Sequence, residues 1–80
     1  MKIKILLFAH LSEEAGFEQA VMELAEGSTV SVASQKIFSE NLSRLSHLPV
    51  RYAVNENFVS KETALREGDK LAFIPPVAGG

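Results

Sequence analysis

The chain has 80 residues, a formal charge of −2, 46% apolar and 22% charged residues, proportions that exclude a disordered segment and fit one small globular domain. It has no cysteine, which excludes disulfides, thiol nucleophiles and thiolate metal sites and fits a reducing cytoplasm. Its cations are scattered (Lys2, Lys4, Lys36, Arg44, Arg51, Lys61, Arg66, Lys70) without the stripe that nucleic-acid binding normally needs.

Lys2 to Phe8 opens with alternation, Ile3, Ile5 and Leu7 against Lys2 and Lys4, which predicts a strand with one buried face. The two lysines before an apolar run resemble a secretory leader, but Ile5 to Ala9 is too short and no small-residue cleavage site follows. No run approaches the roughly 20 apolar residues of a membrane span. His10 is expected at the surface where the strand ends, and Leu11 to Gly16 (LSEEAG) as a turn, with Gly16 free to take positive φ. Phe17 to Leu24 then predicts a second strand, with Ala20, Met22 and Leu24 inward and Gly27-Ser28 at its end. These segments make an opening hairpin.

One long helical signal follows. Thr29 is suited to cap it, and Val30, Ala33, Ile37, Asn41 and Leu45, flanked by Phe38 and Leu42, recur at helical spacing. Pro49 disfavours helical geometry at Leu48 and closes the segment. Val50 to Asn55 predicts a third strand, Asn55-Glu56-Asn57 a turn, and Phe58-Val59 a short extended piece. Leu65 to Asp69 predicts a tight turn into a last strand, Lys70 to Ile74, with Leu71 and Phe73 on one face and Ala72 and Ile74 on the other. The order ββαββ predicts an α+β domain over residues 1–74, a mixed sheet covered by one main helix. In outline it resembles the β-grasp fold of ubiquitin.

The body of the chain offers little chemistry. Its histidines are His10 and His47 and its aspartate is Asp69, too few and too far apart for a nucleophilic triad or a zinc site. Asp69 after Gly68 reads as a turn-forming carboxylate, and Glu13-Glu14 as a solvated pair. No glycine-rich phosphate loop is present, because the glycines are isolated until the last two. The domain reads as a non-catalytic scaffold that binds no cofactor itself.

Residues 75–80 read differently. Pro75 and Pro76 offer no amide hydrogen, so a sheet ladder cannot continue through them, and two prolines favour extended polyproline geometry. At about 3.1 Å per residue such a tail would reach on the order of 19 Å. Val77 and Ala78 are small and Gly79-Gly80 have no side chains, so the tip suits a narrow channel. Its reactive group would be the carboxylate of Gly80, an anion at neutral pH and a poor electrophile until activated, for which adenylation by ATP on a separate enzyme is the route expected.

AVN at Ala53 to Asn55, L-x-x-G-D-x-L-x-F at Leu65 to Phe73 and PPVAGG at Pro75 to Gly80 resemble the molybdopterin synthase small subunit, the MoaD family, over the whole chain. The resemblance implies that Gly80 is adenylated by a ubiquitin-activating-type adenylyltransferase and converted to a thiocarboxylate, with Gly79 needed for access. It implies a large subunit of the MoaE family, in a heterotetramer, where the sulfur passes to cyclic pyranopterin monophosphate. Alternatives are a ThiS-like carrier for thiazole synthesis, a ubiquitin-like modifier joined to lysines, and a plain interaction domain. No membrane or nucleic-acid partner is expected, and the location implied is cytoplasmic.

One further expectation comes from broken alternation. Leu6 and Phe8 follow Lys2 and Lys4 on a face that should stay polar, and Ala72 and Ile74 oppose the inward face of the last strand. If the first and last strands are neighbours, as in a β-grasp sheet, these side chains make one apolar patch beside the tail. That patch, with Pro75, Pro76, Val77 and Ala78, is the expected partner-binding surface.

Overall fold

The computed structural model describes residues 1–76, and the tail residues Val77, Ala78, Gly79 and Gly80 lie outside the described residues. The elements are β1 (Lys2–Leu7), α1 (His10–Ala15), β2 (Gln19–Glu23), α2 (Val30–Asn41), a 3-10 turn (Ser43–Leu45), β3 (Arg51–Val54), β4 (Asn57–Val59) and β5 (Lys70–Ile74). They build one mixed sheet in the order β2-β1-β5-β3-β4. β1 and β5 run parallel, and the other neighbouring pairs are antiparallel. This is the β-grasp arrangement, and α2 covers its inner face.

The core follows from the alternation. Ile3, Ile5 and Leu7 of β1, Leu71 and Phe73 of β5, and Met22 of β2 meet Val30, Ala33 and Ile37 of α2. Phe73 is fully buried, edge-on to Tyr52 at 5.3 Å between centroids and tilted against Phe38 at 6.1 Å. Such aromatic pairs add to the area term. The buried hydroxyls of Ser34 and Tyr52 satisfy each other at 2.6 Å. Thr29 caps α2 as expected, its Oγ1 accepting from the amide of Val32 at 3.4 Å.

Two expectations are corrected. Leu11 to Gly16 is not a plain turn: His10 to Ala15 form α1, so His10 begins a helix rather than ending a strand. Leu11 is fully buried and anchors this single turn-and-a-half, and Ser12 Oγ donates to the carbonyl of Ala9 at 2.8 Å. Gly16 then closes it with φ of 86° and its amide on the Ser12 carbonyl at 2.9 Å. A helix this short is held by burial rather than by propensity. The second correction concerns α2, which stops at Asn41 instead of running to Leu45. Leu42 leaves helical geometry, and a tighter 3-10 turn follows. Three residues per turn keep Leu42, fully buried, and Leu45, packed on the core, on one side.

The motifs AVN and L-x-x-G-D form a single clamp. Asp69 Oδ2 accepts from the Arg66 amide at 2.8 Å, and its Oδ1 accepts from Asn55 Nδ2 at 2.9 Å. Asn55 Oδ1 accepts in turn from the Lys70 amide at 3.0 Å, while the Asn55 amide donates to the Lys70 carbonyl at 2.9 Å. Gly68, at φ of 83°, sends its amide to the Lys2 carbonyl at 2.8 Å. Asp69 is thus a structural staple that ties the β3–β4 hairpin to the start of β5. Asp69→Ala is expected to lower unfolding free energy by about 1–2 kcal/mol, read by denaturant titration, because two donors lose their acceptor.

Candidate functional site

Strand register arranges the outer face of the sheet, away from α2, in rows. Leu6 pairs with Ala72, Ala72 with Ala53, and Ala53 with Phe58, so these side chains cross β1, β5, β3 and β4 side by side. Two residues further along β5, Ile74 pairs with Arg51, and Phe8 follows Leu7, which pairs with Phe73. In the opposite direction Val21, Lys4 and Lys70 form the next row, and Lys2 faces Glu23 beyond it. Rows on one face lie about 6.6–6.8 Å apart.

The register makes Leu6, Ala72 and Ile74 neighbours on this face, and the apolar row runs further across the sheet than alternation alone shows. Leu6, Ala72 and Ile74 are half-buried, whereas Phe8 is 49% exposed and presents most of the accessible ring. Ala53 and Phe58 extend the patch to the far edge, with the Arg51 guanidinium 4.0 Å from the centre of the Phe58 ring. That geometry is a cation–π contact and holds both side chains in place. Ala53 is nearly buried yet stands outside the main core cluster, as its outward position requires. Arg51 and Ala53 were readable from alternation with Tyr52; Phe58 was not, since a short piece shows no parity without its register.

The patch lies where the tail departs. β5 ends at Ile74, and Pro75, half-buried, and Pro76, exposed, carry the chain off the sheet. Helix α1 lies on the loop between Phe8 and β2, and His10 Nδ1 there stands 3.3 Å from Glu13 Oε1, both side chains exposed. His47 is exposed near Pro49 and far in sequence from any acid. Among the described residues no group of His, Cys, Asp or Glu is placed to hold a metal ion. A groove of about 560 Å³ opens between α2 and the β3–β4 edge, lined by residues that include Phe38, Arg51, Tyr52, Phe58 and Lys61. It has neither a carboxylate nor a histidine among its lining residues. No helix among the described residues is long and apolar enough to cross a membrane.

Comparison with known proteins gives this arrangement its context. The model of the ThiS family matches residues 5–80. The molybdopterin synthase sulfur carrier subunit of Chlamydomonas reinhardtii is 34% identical over 83 residues, covering all of both chains. That of Escherichia coli K12 is 35% identical over 81 residues, covering 98% of this chain and 99% of the relative. Among solved structures, SAMP1 of Haloferax volcanii superposes with a TM-score of 0.88 at 25% identity over the full length of both chains. A chain in the protein–protein complex of subunits 1 and 2 of molybdopterin-converting factor from Helicobacter pylori shares the fold, with a TM-score of 0.73 at 21% identity and complete coverage of both. The chain belongs to the ThiS family, as a β-grasp sulfur carrier homologous to the small subunit of molybdopterin synthase, with that group's general role in molybdenum cofactor biosynthesis.

Proposed function

We propose that the chain is the sulfur-donating small subunit of a cytoplasmic molybdopterin synthase, non-catalytic alone and active on a large subunit of the MoaE family. The observation that carries this reading is the match, over essentially the whole chain, to molybdopterin synthase sulfur carrier subunits. The outer-face patch beside Pro75 supports it, because docking there would bring the tail to a partner's active site as an effectively intramolecular event. The Helicobacter pylori complex supports a second subunit as the occupant, and the stoichiometry proposed is a heterotetramer.

The chemistry proposed for the tail balances in three steps. The Gly80 carboxylate attacks the α-phosphorus of ATP on an adenylyltransferase, and pyrophosphate leaves. A hydrosulfide ion from the sulfur donor then attacks the acyl carbon, AMP leaves with the bonding electrons, the sulfur loses its proton, and a thiocarboxylate remains. In the large subunit that sulfur attacks a carbon of cyclic pyranopterin monophosphate, and the C–O bond at that carbon breaks, its oxygen leaving with the bonding electrons. Water then cleaves the resulting thioester, returning the carboxylate and leaving the sulfur on the pterin as a thiolate; two such transfers supply the two sulfurs of the dithiolene. Gly79 gives the adenylyltransferase and the large subunit clearance around the reacting carbon.

Likeness to SAMP1, a small archaeal modifier protein, favours a second reading in which the same adenylate is captured by a lysine to give an isopeptide. A ThiS-like role in thiazole synthesis shares the first two steps. Incubation with the adenylyltransferase, ATP, a sulfur donor, the large subunit and the pterin precursor separates them by product. Molybdopterin is the expected outcome; a thiocarboxylate that the large subunit leaves unconsumed would overturn the primary reading. A chain carrying even one residue beyond Gly80 is expected to form no thiocarboxylate by intact mass, because an amide replaces the carboxylate that ATP must meet.

A further inference from the structure

The outer face has a second component that the apolar patch leaves unexplained. Its charged side chains are predominantly cationic: Lys2, Lys4 and Lys70 are exposed on the rows beyond Leu6 and Ala72, and Arg51 stands beside Ile74 at the other end. The carboxylates beside these rows are Glu23, opposite Lys2, and Glu67, whose Oε1 accepts from the Lys2 amide at 2.9 Å. Lys4 and Lys70 are direct neighbours across the parallel β1–β5 pair, which places like charges side by side at a destabilising position. The whole chain has a formal charge of −2, so this cationic face is a local departure from an acidic molecule.

We infer that the outer face is a charge-steered docking surface whose occupant is a protein with an apolar centre and carboxylates placed opposite Lys4, Lys70 and Arg51. The inference rests on the reading of the chain as the small subunit of a two-part synthase. Apolar rows next to the tail supply the buried contact, and the lysine row sets orientation, turning the approach so that Pro75 faces the partner's channel. The adjacent lysines, unfavourable in the free domain, are relieved when carboxylates meet them. Long-range attraction of this kind raises association rates and is weakened by salt, whereas it changes dissociation less. A second copy of the chain is a poor occupant, since it would oppose one cationic face with another.

Stopped-flow association with the large subunit tests this over about 20 to about 300 mM salt, a range across which the Debye length falls severalfold. For the wild-type chain the association rate is expected to fall about tenfold, with dissociation nearly constant. The double variant K4E/K70E, altered at exposed positions and checked by thermal melting, is expected to associate at least tenfold more slowly at low salt and to lose that salt dependence. Phe58→Ala is expected to act the other way, raising the dissociation rate while leaving association nearly unchanged. An association rate indifferent to salt, or a folded K4E/K70E that associates at the wild-type rate, would overturn this inference while the synthase reading stands. Self-association through this face, seen by sedimentation and abolished by Phe8→Asp, would overturn the choice of occupant. Absence of any wild-type complex would overturn both.

Discussion

A chain ending at Gly79 is expected to melt at nearly the same temperature as one ending at Gly80 and to support essentially no molybdopterin synthesis. The first half of this expectation comes from the core, whose members run from Ile3 to Phe73, with none contributed by Pro75 or Pro76. Losing a glycine beyond them uncovers no described core residue. The second half comes from reach. Removing one residue retracts the terminal carboxylate by about 3.3–3.6 Å, and a misplacement of about 1 Å can cost a hundredfold in rate. The two properties therefore separate cleanly, one read by thermal melting and the other by product formation with all partners present. Wild-type yield from the shortened chain would remove Gly80 from the chemistry.

Phe8→Asp is expected to weaken the complex with the large subunit by a hundredfold or more while leaving the isolated domain folded. Phe8 is 49% exposed and lies outside the core cluster, so an aspartate there is solvated in the free chain. In a complex the same carboxylate would be desolvated against an apolar surface, without a designed partner. Buried aromatic anchors commonly carry about 2 kcal/mol or more of an interface, about thirtyfold in affinity, and the desolvated carboxylate adds at least about 1 kcal/mol, which together exceed a hundredfold. Ile74→Asp should give a similar loss of affinity with some loss of stability as well, because Ile74 is half-buried against its neighbours. Calorimetric titration of the folded Phe8 variant decides the matter; unchanged affinity would move the docking site elsewhere.

The sequence made legible what is written in short-range alternation. Ile3, Ile5 and Leu7 declared β1, Leu71 and Phe73 declared β5, and Thr29 with Val30, Ala33 and Ile37 declared α2. Where an element depended on a distant contact, the pattern was silent. Helix α1 has one buried anchor, Leu11, and a single buried position has no period. The end of α2 was misread because Leu42 and Leu45 suit both an α-helix and the tighter turn that forms. The same division holds at the site. Leu6, Phe8, Ala72 and Ile74 were visible as apolar residues on the wrong face, whereas Phe58 joined them only through its pairing with Ala53. Asn55 and Asp69 carried a family resemblance before they carried a reason; the reason is a hydrogen-bonded clamp across 14 positions of sequence.

The central place of β5 governs how the domain can come into being. It stands between β1 and β3, so it alone joins the β1–β2 half of the sheet to the β3–β4 half. Its pairing closes long loops: the contact between the Lys2 amide and Glu67 at its threshold spans 65 positions. A chain still emerging from the ribosome thus holds two strand pairs with open inner edges until the last strand arrives. Distant pairings of this kind slow folding relative to helical bundles, and exposed edges invite association with neighbours meanwhile. Proteolytic loss of β5 would part the two strand pairs and take Leu71 and Phe73 out of the core.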